Sequence, residues 1–363
     1  MRVMIITASM EAGGAERVVS QLLNSWRANG VDCDLVLLRK RPIFYSIPED
    51  VKVREFDRFC ANRYVNKLRS YWEIRKIVKR VKPDVVLSLP EEIGIYVIGA
   101  TLGLRVPVVV SERNNPWVMP NKKATRLLRR LLYPFASGLI FQTKQAASFF
   151  STKLQRKGIV LPNPLELARI PKPYVGEREK IVVGAGRLEP QKNFALLIDA
   201  FAEFYRDHPD YRLVVYGEGG ERRALERRAA EKLPEGAFSF PGRATDLLER
   251  MNKAAAFVLS SDFEGVPNVL IEAMASGVPC VSTDCAPGGA AELIENGKNG
   301  FLVPVGDVKA LSKKLTEAVD NPELAAKFAS ESVKIKEKLD AEIVCAQWLQ
   351  YLRGTTKKKT CQR

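Results

Sequence analysis

The chain alternates short apolar runs with amphipathic stretches, and this pattern occurs twice along its length. In the first 160 residues, runs rich in Val and Ile predict five strands, which are Val3–Thr7, Asp34–Leu38, Asp84–Leu89, Val106–Ser111 and Gly138–Gln142. Helical patterns lie between them at 15–28, 67–80 and 125–133. Strands that are apolar on both faces and separated by helices indicate a parallel sheet covered by helices on both sides.

A segment with four prolines and no apolar period, residues 162–180, interrupts this pattern and is typical of a domain linker. The second alternation follows it, with predicted strands at Ile181–Gly184, Arg212–Tyr216, Phe238–Phe240, Ala256–Ser260, Cys280–Ser282 and Phe301–Val303. Its predicted helices are 193–206, 221–232, 267–276 and 308–319, and two more patterns, 322–338 and 340–352, end the chain.

The fold class predicted by these patterns is α/β, with two doubly wound Rossmann-like domains that face a cleft. We expect a first domain at 1–165, a second at 166–340, and a C-terminal helix with a basic tail at 341–363, because 363 residues exceed one ordinary core. Sheets of this kind bind ligands at the carboxyl ends of their strands.

Composition excludes several other classes of protein. With 46% hydrophobic and 27% charged residues, the chain is neither disordered nor fibrous. Its longest uncharged apolar stretch, 93–104, is shorter than the roughly 20 residues of a membrane-spanning helix, and its first apolar run is too brief for a signal peptide. Six cysteines without a Cys-x-x-Cys pair argue against a zinc site and indicate a reducing, cytoplasmic compartment.

Glycines follow the first predicted strand of each half. Gly13 and Gly14 open the first helix, where backbone amides could approach an anion, although the same glycines would suit a simple tight turn. In the second half, Gly186 and Arg187 follow the strand, and Lys192 stands at the next helix. This order predicts a phosphate site, and the alternative is a pair of solvated surface cations.

The stretch from Phe263 to Met274 carries the strongest chemical signal. Glu264 follows an apolar strand, and Glu272 falls about one turn into the helix that Pro267 is expected to begin. Both carboxylates could then accept hydrogen bonds from ligand hydroxyls. The amides near Gly265, Val266, Pro267 and Asn268 could meet an anion. The alternative is a helix start that favours acidic residues, which explains Glu264 better than Glu272.

These motifs together resemble the family-4 retaining glycosyltransferases, which have the two-domain GT-B architecture, and especially bacterial enzymes of polysaccharide or lipid-linked oligosaccharide synthesis. The resemblance implies that Glu264 contacts the donor sugar and Glu272 the nucleoside ribose. It also implies that Arg187 and Lys192 bind the donor diphosphate, and that a glycine loop of the first domain corresponds to Gly13 and Gly14. By the same resemblance, the reaction retains configuration and requires no metal or other cofactor.

One position departs from the family pattern. Many relatives have a histidine after the fourth strand of the first domain, whereas this chain has Arg113 there. The single histidine, His208, follows a helix of the second half and is expected to be a surface residue, so no catalytic histidine is assigned. Asp32-Cys33-Asp34 spells the metal motif of another glycosyltransferase fold, but it precedes the predicted strand and is interpreted as a strand edge.

The excess of positive over negative charge is confined to the first half. Residues 1–160 hold 28 Lys+Arg and 13 Asp+Glu, a net of +15, whereas the remaining 203 residues hold 29 of each. Much of this positive charge lies in two amphipathic stretches. Residues 58–82 contain nine cations and one acid, and residues 122–133 contain five cations: Lys122, Lys123, Arg126, Arg129 and Arg130. Such helices suit an anionic membrane surface, or the second could hold the diphosphate of a lipid-linked acceptor. The alternative is an ordinary core-facing helix.

The sequence therefore predicts a hexosyltransferase that moves a sugar from a nucleotide-sugar, expected to be a UDP-sugar, to a polyprenyl-pyrophosphate-linked glycan or another cell-envelope acceptor. It would be peripheral on the inner face of the cell membrane. A transferase for a soluble acceptor is the alternative within enzymes. A basic nucleic-acid-binding protein is a third hypothesis, disfavoured because the sequence has no helix-turn-helix, zinc or RNA-binding signature.

Overall fold

The computed structural model describes residues 1–57 and 63–360. The chain divides into two compact units: one comprises Met1–Pro164 together with the segment that begins at Asp340, and the other comprises Leu165–Leu339. Each unit is an α/β domain with its own parallel sheet.

The first unit contains seven strands in the order β3-β2-β1-β4-β5-β6-β7, all parallel. Their bounds are β1 (Arg2–Thr7), β2 (Asp32–Leu37), β3 (Lys52–Glu55), β4 (Val85–Ser88), β5 (Val108–Ser111), β6 (Gly138–Phe141) and β7 (Gly158–Val160). The intervening helices are α1 (Gly14–Ala28), α2 (Arg63–Val81), α3 (Glu91–Thr101), α4 (Lys123–Leu132), α5 (Lys144–Ser148) and α6 (Thr152–Gln155).

Two strands and one long helix of this unit were not predicted. The strands are β3 and β7, which lie at the two edges of the sheet and lack the buried apolar run of a central strand. The helix α3 is apolar on nearly every side and largely buried, so its sequence lacks the polar face by which an amphipathic helix is recognised.

The Asp-x-Asp motif lies inside a strand and does not precede it, which corrects the expected position. β2 begins at Asp32, so both acids belong to the sheet. Asp32 pairs with Arg2 at 2.6 Å, and the buried Asp34 carboxylate pairs with Arg54 on the neighbouring strand. The two acids therefore stabilise the sheet.

The second unit contains six parallel strands in the order β10-β9-β8-β11-β12-β13. Their bounds are β8 (Glu179–Ala185), β9 (Arg212–Tyr216), β10 (Phe238–Gly242), β11 (Ala254–Leu259), β12 (Cys280–Thr283) and β13 (Phe301–Val303). The helices are α7 (Phe194–Tyr205), α8 (Arg222–Lys232), α9 (Leu247–Lys253), α10 (Asn268–Ala275), α11 (Val308–Asp320), α12 (Pro322–Ser332) and α13 (Ile335–Leu339). Because β8 and β11 are neighbours at the centre of the sheet, the loops that follow them emerge side by side.

The last helix, α14 (Ala341–Thr360), returns to the first unit and packs on α1. Trp348 and Leu352 are fully buried in the core that lies under α1, and the Trp26 indole donates a hydrogen bond of 2.8 Å to the Cys345 carbonyl oxygen. The segment expected to stand apart at 341–363 is thus, as far as Thr360, part of the first domain.

The described cysteines are buried thiols at positions 33, 280, 285 and 345, and Cys60 and Cys361 lie outside the described residues. His208 stacks on Phe204, with ring centroids 4.2 Å apart, and its Nε2 lies 2.8 Å from an Asp320 carboxylate oxygen. Its contacts are those of a partly buried packing residue.

Candidate functional site

Four hydrogen bonds join the loops after β8 and β11, in addition to an ion pair between Lys192 and Glu264. The Ser260 hydroxyl donates to the Lys192 carbonyl oxygen at 3.0 Å, and the Gln191 amide donates to the Phe263 carbonyl oxygen at 2.9 Å. The Asp262 backbone N–H donates to the Gln191 carbonyl oxygen at 2.9 Å, and the Asn193 amide donates to the Asp262 carboxylate at 2.7 Å. The structure thus brings the predicted phosphate loop and the predicted acidic loop into direct contact.

Lys192 and Glu264 form an ion pair within this contact. The Lys192 Nζ lies 2.5 Å from Glu264 Oε1, and the Ser261 hydroxyl donates to the same oxygen at 2.8 Å. The side chains are only 13% and 9% exposed, so each charge depends on the other for compensation. A ligand phosphate would have to share Lys192 with Glu264, and a ligand hydroxyl would meet a carboxylate that is already fixed in position.

Two glycines that were not among the predicted site residues each allow two neighbouring loops to approach closely. Gly217, after β9, lies against the loop after β8, and Gly289, after β12, lies against the loop after β11. A Cβ on Gly217 would lie 1.8 Å from the Gly186 carbonyl oxygen, and a Cβ on Gly289 would lie 1.6 Å from the Gly265 carbonyl oxygen. Gly217 also has a φ of 141°, which L side chains rarely adopt. Gly217 directly follows β9 in a Gly-Glu-Gly-Gly run, whereas Gly289 lies six residues after the end of β12 in a Pro-Gly-Gly run. These runs were the signal available in the sequence.

Arg187 is placed differently from Lys192. Its side chain is 56% exposed, and its contact is an ion pair of 3.1 Å with Glu189 on its own loop. An exposed pair of this kind contributes little to stability, so the guanidinium can exchange Glu189 for a ligand at low cost.

The helix α10 carries the second predicted acid. Pro267 caps this helix and does not form its first turn, because its ψ of 112° is extended; its carbonyl oxygen accepts the Leu270 N–H at 3.1 Å. Val266 is buried, Asn268 is partly exposed, and Glu272 is 6% exposed in the second turn. A carboxylate this deeply buried needs polar partners, so its assignment to a ligand stays a prediction.

In the first unit, the glycine loop is occupied by an acid of its own helix. Gly13 caps α1 in extended backbone, and a Cβ there would lie 2.2 Å from a Glu16 carboxylate oxygen. The space over Gly13 is thus filled by Glu16, whose charge is favourable at a helix N-terminus. Gly14 is the first residue of the helix.

Arg113 follows β5 and points its guanidinium into polar and aromatic neighbours. One terminal nitrogen donates to the Asn163 side-chain oxygen at 2.7 Å, and the guanidinium carbon lies 5.9 Å from the Trp348 ring centroid. The Arg113 backbone N–H donates to a Glu91 carboxylate oxygen at 3.2 Å. Burial lowers the pKa of Arg113 to about 10, so the side chain remains a cation at neutral pH. The guanidinium is held by contacts within the first unit, and the expected role of Arg113 toward the acceptor or the membrane stays a prediction.

The helix α4 reverses the usual arrangement of an amphipathic helix. Its apolar side chains face solvent: Leu127 is 58% exposed, Leu131 is 57% exposed, and Phe135 in the turn after it is 65% exposed. Lys122, which caps the helix, and Lys123 are exposed beside them. Apolar side chains next to cations on one exposed surface are typical of a helix that contacts an anionic membrane.

Arg129 does not belong to that surface, which corrects the interpretation of five equivalent cations. It is 3% exposed and donates to the carbonyl oxygens of Met119 and Pro116, each at 2.8 Å. Its guanidinium lies 3.6 Å from Glu112 and 4.8 Å from the Phe149 ring centroid. Arg129 therefore holds the β5–α4 loop. Arg130 is exposed, whereas Arg126 is partly exposed and donates to the Trp117 carbonyl oxygen at 3.0 Å.

Glu112 is a buried acid with an altered proton affinity. Burial, and then the charge of nearby Glu91, raise the pKa of Glu112 to about 8, and the Tyr133 hydroxyl donates to its Oε1. The protonated form of Glu112 is therefore favoured at neutral pH.

The other basic stretch is only partly described, because residues 58–62 lie outside the described part of the chain. Within α2, Leu68 is 65% exposed and Trp72 is 72% exposed, and α2 and α4 both pack against α3. No helix in residues 1–57 and 63–360 combines the length and apolar character needed to span a bilayer. Over the same residues, no group of three or more His, Cys, Asp or Glu side chains could hold a metal ion.

Two family models match the chain, one for each unit. The model described as glycosyl transferases group 1 matches residues 169–334, and the model described as glycosyl transferase 4-like domain matches residues 13–164. Together they cover most of the chain.

Curated relatives match along nearly their whole length. A Campylobacter jejuni protein named GalNAc-alpha-(1->4)-GalNAc-alpha-(1->3)-diNAcBac-PP-undecaprenol alpha-1,4-N-acetyl-D-galactosaminyltransferase is 27% identical over 97% of this chain and 98% of its own. A second from the same organism, named N-acetylgalactosamine-N,N'-diacetylbacillosaminyl-diphospho-undecaprenol 4-alpha-N-acetylgalactosaminyltransferase, is 28% identical over 96% of this chain and 99% of its own.

Solved structures show the same fold at lower identity. Alr3699/HepE of Anabaena, crystallised with UDP, superposes with a TM-score of 0.81 at 19% identity, covering 98% of this chain and 100% of its own. Sucrose-phosphate synthase of Thermosynechococcus elongatus gives a TM-score of 0.84 at 18% identity, covering 98% and 99%.

Proposed function

Since the chain belongs to the group 1 and 4-like glycosyltransferases, we propose that it is a hexosyltransferase that moves a sugar from a UDP-sugar to a polyprenyl-diphosphate-linked glycan. The names of two relatives describe transfer of N-acetylgalactosamine to glycans on undecaprenyl diphosphate, and this supports an acceptor of the same class. We further propose that transfer retains the configuration of the sugar.

The observation that carries the donor assignment is the buried Lys192–Glu264 pair at the carboxyl ends of β8 and β11. A nucleotide-sugar offers a diphosphate and sugar hydroxyls next to each other, and this pair offers a cation and a carboxylate next to each other. Lys192 would bind a diphosphate oxygen while Glu264 accepts a sugar hydroxyl. The exposed Arg187 would add a second cation to the diphosphate.

The chemistry of the proposed reaction depends on the leaving group. As the bond from the sugar to the diphosphate breaks, negative charge accumulates on the diphosphate, and cations fixed in advance stabilise that charge without reorganising. Lys192 is fixed by Glu264, which is itself fixed by Ser261. We expect this arrangement to replace a metal ion, so excess chelator should leave the transfer rate within about twofold of the untreated rate. Loss of one of these hydrogen-bond donors, in contrast, is expected to lower the rate roughly 10²–10³-fold.

Glu272 is assigned to the ribose of the nucleotide. Its burial in the second turn of α10 gives a fixed acceptor for hydroxyl groups. Calorimetry with UDP tests this assignment: Glu272→Gln is expected to weaken UDP binding by tenfold or more, since about 1.4 kcal/mol corresponds to tenfold and a hydrogen bond to a charged group contributes about 1.5–3 kcal/mol. Equal UDP affinity in both proteins, with an unchanged melting temperature, would remove Glu272 from the site.

The acceptor assignment is supported by the exposed face of α4 and by the net charge of +15 on residues 1–160. We propose that this face rests on the inner, anionic surface of the cell membrane, where lipid-linked glycans would be presented to it. Each cation near an anionic membrane contributes about 1 kcal/mol to binding. Changing Lys122, Lys123, Arg126 and Arg130 together to Gln is therefore expected to abolish sedimentation with vesicles that contain anionic lipid.

A transferase for a soluble acceptor is the second candidate, and the same vesicle experiment separates the two. If the fourfold variant and the unaltered protein both stay in the supernatant, the soluble acceptor is favoured. A nucleic-acid-binding protein is the third candidate. Salt-sensitive retardation of random duplex DNA that UDP leaves unchanged would favour it.

A further inference from the structure

The turn that follows β5 presents a tryptophan to solvent. Trp117 is 43% exposed, whereas Trp26 and Trp348 of the same unit are buried in its core. The turn lies beyond the carboxyl end of an interior strand, at the edge where sheets of this kind bind ligands. A single exposed apolar side chain is common on protein surfaces, so its exposure alone says nothing about function. What distinguishes Trp117 is the way in which its turn is fixed.

Two arginines of α4 hold the backbone of this turn. Arg129 donates to the carbonyl oxygens of Pro116 and Met119, each at 2.8 Å. Arg126 donates to the carbonyl oxygen of Trp117 itself at 3.0 Å. Hydrogen bonds from a charged donor are stronger than those between neutral groups. The backbone is therefore held on both sides of Trp117 before any ligand binds.

The ring of Trp117 is supported as well. It meets the Phe149 ring edge to face, with centroids 5.2 Å apart and an angle of 77° between the ring planes. The Phe149 centroid lies 4.8 Å from the Arg129 guanidinium carbon and 5.0 Å from the Phe150 centroid. The same arginine thus contacts both the backbone of the turn and the aromatic neighbour of Trp117. A side chain that is fixed in this way loses little conformational entropy when a ligand covers it.

An exposed and fixed indole suits a sugar ring. A hexose carries C–H groups on its faces and hydroxyl groups around its edge, so it can pack on an aromatic ring while its hydroxyls bind polar groups nearby. Asn114, which is partly exposed, belongs to the same hydrogen-bonded turn. Its side-chain oxygen accepts the Asn115 backbone N–H at 2.8 Å, and the Asn115 side-chain oxygen accepts the Trp117 backbone N–H at 3.0 Å. The amide nitrogen of Asn114 can donate to a ligand hydroxyl.

We propose that Trp117 is a stacking platform for a hexose ring of the acceptor glycan, with Asn114 of the same turn as a hydrogen-bond donor. The proposal rests on the proposed function, in which a glycan is the acceptor. It adds a residue that selects the acceptor by its sugar, so binding does not require the lipid carrier. A membrane contact is the competing explanation for an exposed indole, but a bilayer adapts to the side chains that enter it and does not need the indole to be fixed.

The test is saturation-transfer NMR with the full chain and the methyl glycosides of N-acetylgalactosamine, N-acetylglucosamine, galactose and glucose. At least one of these probes is expected to bind. Trp117→Ala is expected to weaken its binding about fivefold or more, because the aromatic ring contributes both apolar area and a stacking contact. Trp117→Phe keeps an aromatic ring and is expected to retain most of the affinity. Absence of saturation transfer to all of the probes, or equal affinity in Trp117→Ala, would overturn the proposal.

A second exposed tryptophan of the same unit provides the matched control. Trp72 lies on α2 and is 72% exposed, and Trp72→Ala is expected to leave glycoside binding unchanged. Equal losses in Trp72→Ala and Trp117→Ala would assign the effect to exposed indoles in general and reject the platform. Sedimentation with vesicles that contain anionic lipid checks the membrane alternative. If Trp117→Ala binds the glycoside normally but no longer sediments, Trp117 is a membrane contact and the proposal is wrong.

UDP binding and the melting temperature, measured on the same samples, show that the variants are folded and keep this test independent of the proposed donor site. If the unaltered protein fails to bind UDP but binds a glycoside in a manner that depends on Trp117, the donor assignment is wrong and the platform remains. If transfer from a UDP-sugar occurs and Trp117→Ala leaves the KM for the acceptor unchanged, the proposed function stands and the platform is rejected.

Discussion

At the scale of single residues, the site is defined by charges that are paired before any ligand binds. The Lys192–Glu264 pair satisfies two groups that would be unfavourable alone in a buried position. In the proposed donor site, this pairing would hold both side chains in place before a nucleotide-sugar binds. If these two side chains became ordered only when a ligand bound, the loss of conformational entropy would weaken binding.

Glu264→Gln tests this arrangement. The amide keeps the shape of the side chain but removes the negative charge that fixes Lys192. We therefore expect the transfer rate to fall roughly 10²–10³-fold. The measurement is the steady-state rate with UDP-sugar and lipid-linked acceptor. Asp262→Asn serves as the control, because Asp262 is exposed on the same loop and accepts a hydrogen bond from Asn193 that Asn can still accept. Equal rates for Glu264→Gln and the unaltered protein would exclude Glu264 from the reaction.

The raised pKa of Glu112 predicts that the free energy of unfolding depends on pH. Its folded pKa is about 8, above the usual 4.5 of a glutamate, so the folded state holds this proton more tightly than the unfolded state. Stability contributed by the protonated group is full below about pH 4.5 and is lost as the pH rises toward 8. The side chain in Glu112→Gln does not titrate, so the stability of this variant should not fall for this reason as the pH rises.

The free energy of unfolding, measured by denaturant at pH 5, 6.5 and 8, checks this prediction. As the pH rises from 5 to 8, the free energy of unfolding of the unaltered protein should fall by a few kcal/mol relative to that of Glu112→Gln. A difference that stays constant from pH 5 to 8 would mean that Glu112 keeps one protonation state in this range.

At the scale of elements, α4 shows how a helix can invert the expected pattern. Its sequence has the spacing of an ordinary amphipathic helix, which would bury Leu and expose Arg. In the structure Leu127 and Leu131 are exposed, and Arg129 is the buried side chain. The reason is local: the β5–α4 loop turns two carbonyl oxygens toward the helix, and the guanidinium satisfies both.

Arg129→Gln and Arg130→Gln are therefore expected to behave differently, although the two residues are adjacent. Loss of the buried guanidinium leaves the carbonyl oxygens of Met119 and Pro116 without this donor, so Arg129→Gln should reduce the free energy of unfolding by about 1–3 kcal/mol for each oxygen. Arg130→Gln, at an exposed position, should change it by about 0.5 kcal/mol or less. Urea denaturation measures both, and equal effects would contradict the structural role of Arg129.

At the scale of the whole molecule, the α/β class and the two-domain GT-B architecture predicted from the sequence are confirmed by the two sheets and by the similarity to solved glycosyltransferases. The chain does not divide into the two consecutive domains that the sequence predicted. After completing the second unit at Leu339, the chain returns and adds α14 to the first unit. The first domain is thus assembled from both ends of the chain.

Trp348→Ala tests the contribution of this returning helix. Trp348 is fully buried against the core of the first unit, so its removal should cost about 3–5 kcal/mol and lower the melting temperature by about 10 °C. The neighbouring exposed residue provides a control, since Gln347→Ala should leave the melting temperature within about 1 °C. Differential scanning calorimetry measures both, and an unchanged transition in Trp348→Ala would mean that α14 is dispensable for the first domain.

The sequence by itself determined the strands at the centre of each sheet, the loops that carry Arg187, Lys192 and Glu264, and the family. It did so because buried strands and glycine turns are local patterns. Edge strands such as β3 and the apolar helix α3 were missed because their signals are weak or lack a period.

Only the tertiary structure decided that Lys192 and Glu264 are bonded, that Gly217 and Gly289 lie against the backbone of a neighbouring loop, and that Arg129 is buried while Leu127 is exposed. Each of these facts depends on groups far apart in the chain meeting within a few ångströms. Spacing along a sequence cannot specify such a meeting, because the cost of burying a charge is set by the partners that the fold brings to it.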